Sequence, residues 1–112
     1  MCLFCKIVRG EIPAKVVLQN DHLLAFHDIN PGAPVHVLVI PKEHLTSIHD
    51  AEAHHRELLG EMMLAAREVA VTLGLEESGY RLVVNTGKDA GQSVFHLHLH
   101  VMGGRPMAWP PG

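Results

Sequence analysis

Residues 96–102 read His-Leu-His-Leu-His-Val-Met, an unbroken alternation of imidazole and aliphatic side chains. Side chains of a β-strand point alternately to its two faces, so this period predicts a strand. Leu97, Leu99 and Val101 then face a core. His96, His98 and His100 face the other way, about 6.6 Å apart at a rise of ~3.3 Å per residue. Just upstream, Gly87-Lys88-Asp89-Ala90-Gly91-Gln92-Ser93 is a loop of glycines and short polar residues. Three imidazoles on a rigid strand, beside a loop offering backbone N–H groups, suit anion chemistry and phosphate in particular. Two other readings compete. A purely structural role is the blander one, but three unpaired imidazoles on one face are costly to bury. A metal site is the other, because His-x-His pairs on strands bind zinc.

With 112 residues, 47% of them apolar, the chain builds one domain, spanning residues 1–112, with a real core. A domain of this size buries only about two thirds of its unfolded surface, so dimerisation would add useful stability. The formal charge is −3 and the sequence has no Lys/Arg block, which argues against a nucleic-acid surface. No apolar run approaches the ~18 residues of a membrane span. The start, Met1-Cys2-Leu3-Phe4-Cys5-Lys6, lacks a signal-peptide pattern, so a cytoplasmic protein is expected. Cys2 and Cys5 form a C-x-x-C pair. A reducing compartment disfavours a disulfide between them. The redox reading lacks its βαβ context, and the haem reading needs His where Lys6 stands. Zinc remains, but two thiolates need two further ligands.

Along the chain, residues 4–9 form a helical turn broken at Pro13. Residues 15–19 and 23–28 read as a hairpin around Asn20-Asp21. Val35–Ile40 is a β-branched, apolar central strand that ends at Pro41. From about Ala53 to Leu73 the period changes. Leu58, Leu59, Met62, Met63, Ala66, Val69, Ala70 and Leu73 recur at helical spacing, with both methionines expected in the core. Asp50 is the expected N-cap and Gly74 the expected stop. Tyr80–Asn85 is a fourth strand and the histidine run a fifth. The proline-rich tail, 103–112, carries the only tryptophan, Trp109. The order β-β-β-α-β-β predicts an α+β fold: a five-stranded antiparallel sheet with one long helix.

The run His96-Leu97-His98-Leu99-His100-Val101-Met102 resembles the signature of the histidine triad family, and the chain is similar to its Hint branch, the nucleoside phosphoramidases. Further matching segments are Phe26-His27-Asp28-Ile29, Ala33-Pro34-Val35-His36 through Lys42, Gly91-Gln92-Ser93-Val94, Gly103-Gly104-Arg105 and Trp109-Pro110-Pro111-Gly112. The resemblance implies a HIT-like fold, a homodimer, and hydrolysis of purine nucleoside 5′-phosphoramidates through a nucleotidyl-histidine. It implies His98 as nucleophile, with His36 and His100 flanking the phosphate. Ser93, Gln92 and Gly91 would lie near the phosphate and leaving group, and Asn85 would contact phosphate or ribose. Asp28 would hold the ribose hydroxyls. Phe4, Ile7 and Ile29 would form the base slot, and Trp109 would reach the partner subunit's site. It also implies a structural zinc on Cys2, Cys5, His44 and His96 that the chemistry does not need. His22, His27, His49, His54 and His55 receive no role.

The chemistry is coherent on its own terms. A neutral imidazole attacks phosphorus and splits one hard step into two. Donors stabilise the developing charge, and Ser93 relays a proton to the departing nitrogen. Three alternatives stay open: a dinucleoside polyphosphate hydrolase, a nucleotide-binding module with incidental hydrolysis, and a zinc hydrolase using the triad directly. The ending Trp109-Pro110-Pro111-Gly112 favours the phosphoramidase over the polyphosphate branch.

Overall fold

The computed structural model describes residues 2–112; Met1, the first residue of the expected 1–112 span, lies outside the described residues. Among the described residues the elements run α1 (Leu3–Val8), β1 (Val16–Gln19), β2 (Leu23–His27), β3 (Val35–Pro41), α2 (Arg56–Thr72), β4 (Tyr80–Val83) and β5 (Leu99–Gly103). The strands form one antiparallel sheet in the order β1-β2-β3-β5-β4. The expected α+β architecture is therefore present. At the hairpin turn, Asn20 Oδ1 accepts the N–H groups of His22 and Leu23, both at 2.9 Å, which is how a short polar side chain closes a turn.

β3 is central and covered on both faces, which accounts for its near-continuous apolar run. Val37 and Val39 join the core under α2, together with Leu97, Leu99 and Val101. Leu38 and Ile40 join a second cluster, with Phe4 of α1, Leu24 and Phe26. The sheet thus has a helix face and a site face.

The fifth strand is shorter than its alternation predicts, starting at Leu99 rather than His96. Its partner β3 ends at Pro41, which has no N–H to continue the ladder. Leu97 N–H turns instead to the Leu45 carbonyl at 2.6 Å. The side-chain alternation nevertheless persists through the unpaired residues: Leu97 is buried on the helix face, and His98 opens onto the other.

Helix α2 buries Met62, Ala65, Ala66, Val69 and Ala70, a stripe at i, i+3, i+4, i+7 and i+8. Met63 was expected in the core but is 53% exposed, one residue off this stripe. The helix begins at Arg56, and Asp50 is not its cap. Ser47 Oγ donates to Asp50 Oδ2 at 3.1 Å within the 3-10 turn Ile48–Asp50. A second 3-10 turn, Ala53–His55, precedes α2, and there Glu52 N–H donates to His55 Nδ1 at 3.0 Å. Polar side chains that bond nearby backbone compete with the helix over this stretch. The C-terminus matches expectation. Gly74 has φ +75, its N–H bonds the Val71 carbonyl, and Leu75 N–H bonds the Ala70 carbonyl at 2.8 Å. This is a Schellman end.

Two glycine substitutions separate backbone from packing effects. At Gly74 a side chain must adopt a left-handed backbone, so Gly74→Ala is expected to lose about 1–2 kcal/mol. At Gly60, inside α2, an added Cβ meets nothing within 4 Å among the described residues, so Gly60→Ala is expected to gain about 1 kcal/mol. Equilibrium urea unfolding reads both; a loss at Gly60 would refute the open-space assignment.

Candidate active site and metal centre

β3 and β5 pair with Leu38 opposite His100 and His36 opposite Met102, which makes His36 and His100 diagonal neighbours on one face. That face opens into a cavity of about 960 Å³. Phe4 and Ile7 of α1 form one wall, Asp28 and Ile29 after β2 another, and Ser93, His98 and His100 line the rest. Seven residues expected at the site therefore meet in one cavity. His36 stands behind His100.

The hydrogen bonds assign the tautomers. His98 Nδ1 lies 2.7 Å from the His96 carbonyl. A carbonyl only accepts, so Nδ1 carries a proton, and in the neutral ring Nε2 is the nitrogen with the free lone pair. Phe4 meets the His98 ring edge-on, with centroids 5.2 Å apart, and holds its orientation. His36 Nε2 is 2.9 Å from His100 Nδ1 and 3.4 Å from Asp28 Oδ2. His100 Nε2 is buried and has no hydrogen-bond partner among the described residues. An unmet buried polar atom at a cavity wall is a place for a ligand atom. Burial, with the neighbouring His98 and His36, holds the His100 imidazole down to about 4. Burial likewise pushes His36 below its ordinary value, against the pull of Asp28. Both rings are neutral near pH 7.

His96 serves a different centre. Its ring turns to Cys2, Cys5 and His44, and the four donor atoms all lie within 4.8 Å of one another. Cys2 Sγ and His96 Nδ1 are 3.3 Å apart, Cys5 Sγ and His44 Nδ1 3.3 Å, and the two Nδ1 atoms 3.2 Å. Bond lengths of ~2.0–2.3 Å in a tetrahedral site imply ligand–ligand edges of about 3.3–3.8 Å, so this donor set fits a metal such as zinc. His96 Nε2 donates to the Pro41 carbonyl at 2.8 Å, leaving Nδ1 bare and aimed as a ligand. Burial, then the adjacent Cys2, pushes the Cys5 thiol up. The Cys5 thiol therefore resists ionisation until a cation joins it.

The remaining expected residues stand outside the cavity. The Gln92 side chain is occupied by the loop: its Oε1 accepts Gly87 N–H at 2.9 Å, and its Nε2 donates to the Thr46 and Val94 carbonyls at 2.7 and 3.1 Å. It braces the loop that carries Ser93. Gly91, with φ +82, shapes the same loop, where Gly91 N–H bonds the Lys88 carbonyl at 3.0 Å. Asn85 follows β4 and is not among the cavity-lining residues. Trp109 is 82% exposed, on a tail tethered by a bond from Arg81 to the Ala108 carbonyl at 2.9 Å.

A family profile described as HIT domain matches residues 9–107. The chain belongs to the HIT family. It superposes on the crystal structure of a HIT family hydrolase from Legionella pneumophila with a TM-score of 0.98 and 52% identity, covering 100% of both chains. It is 50% identical to a 14 kDa zinc-binding protein of Zea mays, covering 98% of this chain and 87% of that one. It is 45% identical to a purine nucleoside phosphoramidase of Escherichia coli, covering 94% of this chain and 88% of that one. In this HIT fold the triad is divided: His98 and His100 face the cavity, and His96 faces the cysteines.

Sequence reasoning missed several lining residues, among them Lys15, Leu38 and Val94. Leu38 had a signal, since it lies two residues from His36 on one strand. Val94 had one too, since it follows Ser93 in a matching segment; Lys15 had none, because the start of β1 brings it in.

The depressed His100 value makes acid stability testable. Between pH 6.5 and about 4 the unfolded chain binds a proton at this ring and the native chain does not, so stability falls as pH falls through that window. Asp28, His36 and His98 are the titratable neighbours facing it. The His100→Asn variant should lose less melting temperature than wild type on acidification from pH 7 to 4. Parallel curves would show that His100 titrates normally.

Proposed function

We propose that this HIT protein hydrolyses nucleoside 5′-phosphoramidates, with purine substrates such as adenosine 5′-monophosphoramidate, through a nucleotidyl intermediate on His98. The observation that carries this reading is the bare Nε2 of His98 at the cavity wall, beside the unpartnered Nε2–H of His100. In the first step the His98 Nε2 lone pair forms a bond to phosphorus. The P–N bond of the substrate breaks, and its electron pair leaves with the amine. Ser93 passes the amine the proton that makes it a competent leaving group. His100 Nε2–H, backed by His36, donates to a nonbridging oxygen as charge builds. In the second step water attacks phosphorus and returns one proton to Ser93, the bond to Nε2 breaks with its electron pair going back to the imidazole, and nucleoside monophosphate leaves. Phe4, Ile7 and Ile29 offer apolar surface for a base. Asp28 Oδ1 is held by Asn30 N–H at 2.9 Å, which presents the carboxylate to ribose hydroxyls. The Escherichia coli relative's name supports the substrate class.

We assign Cys2, Cys5, His44 and His96 a structural zinc, supported by the donor geometry and by the maize relative's name. We also take residues 1–112 as one domain that works as a cytoplasmic homodimer. The exposed Trp109 of the tail and exposed Tyr80 on edge strand β4 are suited to meeting a partner. Among the described residues no helix is long and apolar enough to cross a membrane.

His98→Ala should lower kcat on adenosine 5′-monophosphoramidate by at least ~10³-fold, the scale of a lost nucleophile. Rapid quenching of wild type should trap a protein heavier by one nucleoside monophosphate, seen by mass spectrometry. Near-normal turnover without His98 would remove the assignment.

Cys5→Ser should release zinc and lower the melting temperature, because bound metal contributes folding energy. It should retain measurable hydrolysis. Metal analysis and calorimetry read the first effect, and complete inactivity would point to a catalytic metal.

A further inference from the structure

Asp28, His36 and His100 bring two imidazole nitrogens and a carboxylate within 4.8 Å of one another, a second arrangement with the donor types of a metal site. Its hydrogen bonds point elsewhere. Gly32 N–H donates to His36 Nδ1 at 2.8 Å. A backbone amide can only donate, so Nδ1 of His36 accepts and its proton sits on Nε2. That Nε2–H meets His100 Nδ1 at 2.9 Å. His100 Nδ1 accepts in turn, and its own proton is placed on Nε2, the buried atom without a partner among the described residues. Each tautomer dictates the next. Both nitrogens of the metal-like cluster are thereby occupied, one by its proton and one by its neighbour's. Gly32 itself is held from the C-terminal segment, where one terminal nitrogen of Arg105 donates to the Gly32 carbonyl at 3.0 Å. The other donates to the Pro106 carbonyl at 3.0 Å.

We propose that Gly32, anchored by Arg105, is a positioning residue whose backbone N–H sets the tautomers of His36 and His100, so that His100 presents a donor to phosphate and the pair refuses metal ions. The role assigned to the His100 donor rests on the reaction proposed above; the tautomer assignment does not. Reversing the chain would set a protonated Nδ1 against the Gly32 N–H, donor against donor. It would also turn a lone pair of His100 toward an anionic oxygen. Burial keeps both rings neutral, so tautomer rather than charge decides what each nitrogen offers.

Imidazole 15N spectra of the full-length, substrate-free protein test this at pH 7. Wild type should show the Nε2–H tautomer for His36 and His100 and the Nδ1–H tautomer for His98. Gly32→Ala keeps the N–H, and the atoms nearest its Cβ would be the flexible Met102 Cε at 3.1 Å and the His36 ring at 3.7 Å. It should keep the wild-type tautomers. Gly32→Pro removes the N–H and should give tautomer mixtures at His36 and His100 while leaving His98 unchanged. Its kcat should fall by ~10-fold, less than the ~10²–10³ of deleting an oxyanion donor outright, with KM nearly constant. Titrated with zinc ion alone, Gly32→Pro should take up one more zinc per chain than wild type or Gly32→Ala. Should the proline distort the loop, glycolic acid in place of Gly32 turns that amide into an ester and removes the same N–H. Arg105→Ala should show the same spectral change in weaker form. An Nδ1–H tautomer at His36 in wild type would overturn the proposal. So would unchanged His36 and His100 tautomers in both the proline and the ester variants. Wild-type protein with the expected tautomers but no phosphoramidase activity would sustain the tautomer lock and remove the proposed reaction.

Discussion

The 2.7 Å bond from His98 Nδ1 to the His96 carbonyl joins the cavity to the four-donor cluster. His96 offers its ring to Cys2, Cys5 and His44, and its carbonyl to His98. Its ring cannot rotate freely, because Nε2 is bound to the Pro41 carbonyl at the end of β3. The same ring lies edge-on to Phe4, which also packs on His98. The four-donor cluster, the His98 ring and the Phe4 wall of the cavity therefore share one rigid corner. A cation on the four donors would stiffen that corner without touching substrate.

The two faces of the sheet do different work. On the helix face, aliphatic side chains and three alanines of α2 pack tightly, and burying each Val or Leu contributes about 1.5–3 kcal/mol. On the other face, apolar cover comes from the short α1, and the rest is left to the cavity. Polar groups there are satisfied in sequence, from backbone to ring to ring, until the last donor, on cavity-lining His100, is left buried without a partner among the described residues. A buried donor without a partner carries a cost in the free protein, and a phosphate oxygen is the kind of atom that removes it.

Several parts of this arrangement were legible in the primary structure. The period-2 run located His98 and His100 on a common face, and the helical stripe found Met62, Ala66, Val69 and Ala70. Gly74 marked the helix end because few other residues accept its backbone. Legibility failed where local rules met competing contacts. Asp50 looked like a helix cap, but Ser47 engages it in a separate turn. Met63 fitted a broad stripe that packing narrowed by one residue. Gln92 was expected at the substrate, and its amide is held by three backbone groups of distant and near segments.

What the sequence determined by itself was the alternation of faces, the order of elements and the residue types available for phosphate and metal chemistry. These depend on side-chain period and on local backbone preference, both of which act over a few residues. Tertiary structure supplied the physical cause of the triad's division between two centres, which only the family resemblance had implied: Pro41 stops the ladder and frees His96 to turn toward α1. It also decided the tautomers. Those depend on which backbone groups, the Gly32 amide and the His96 carbonyl, stand opposite each ring nitrogen. Every residue but proline has the same amide, so the letters of the sequence carry no mark of the one that faces His36.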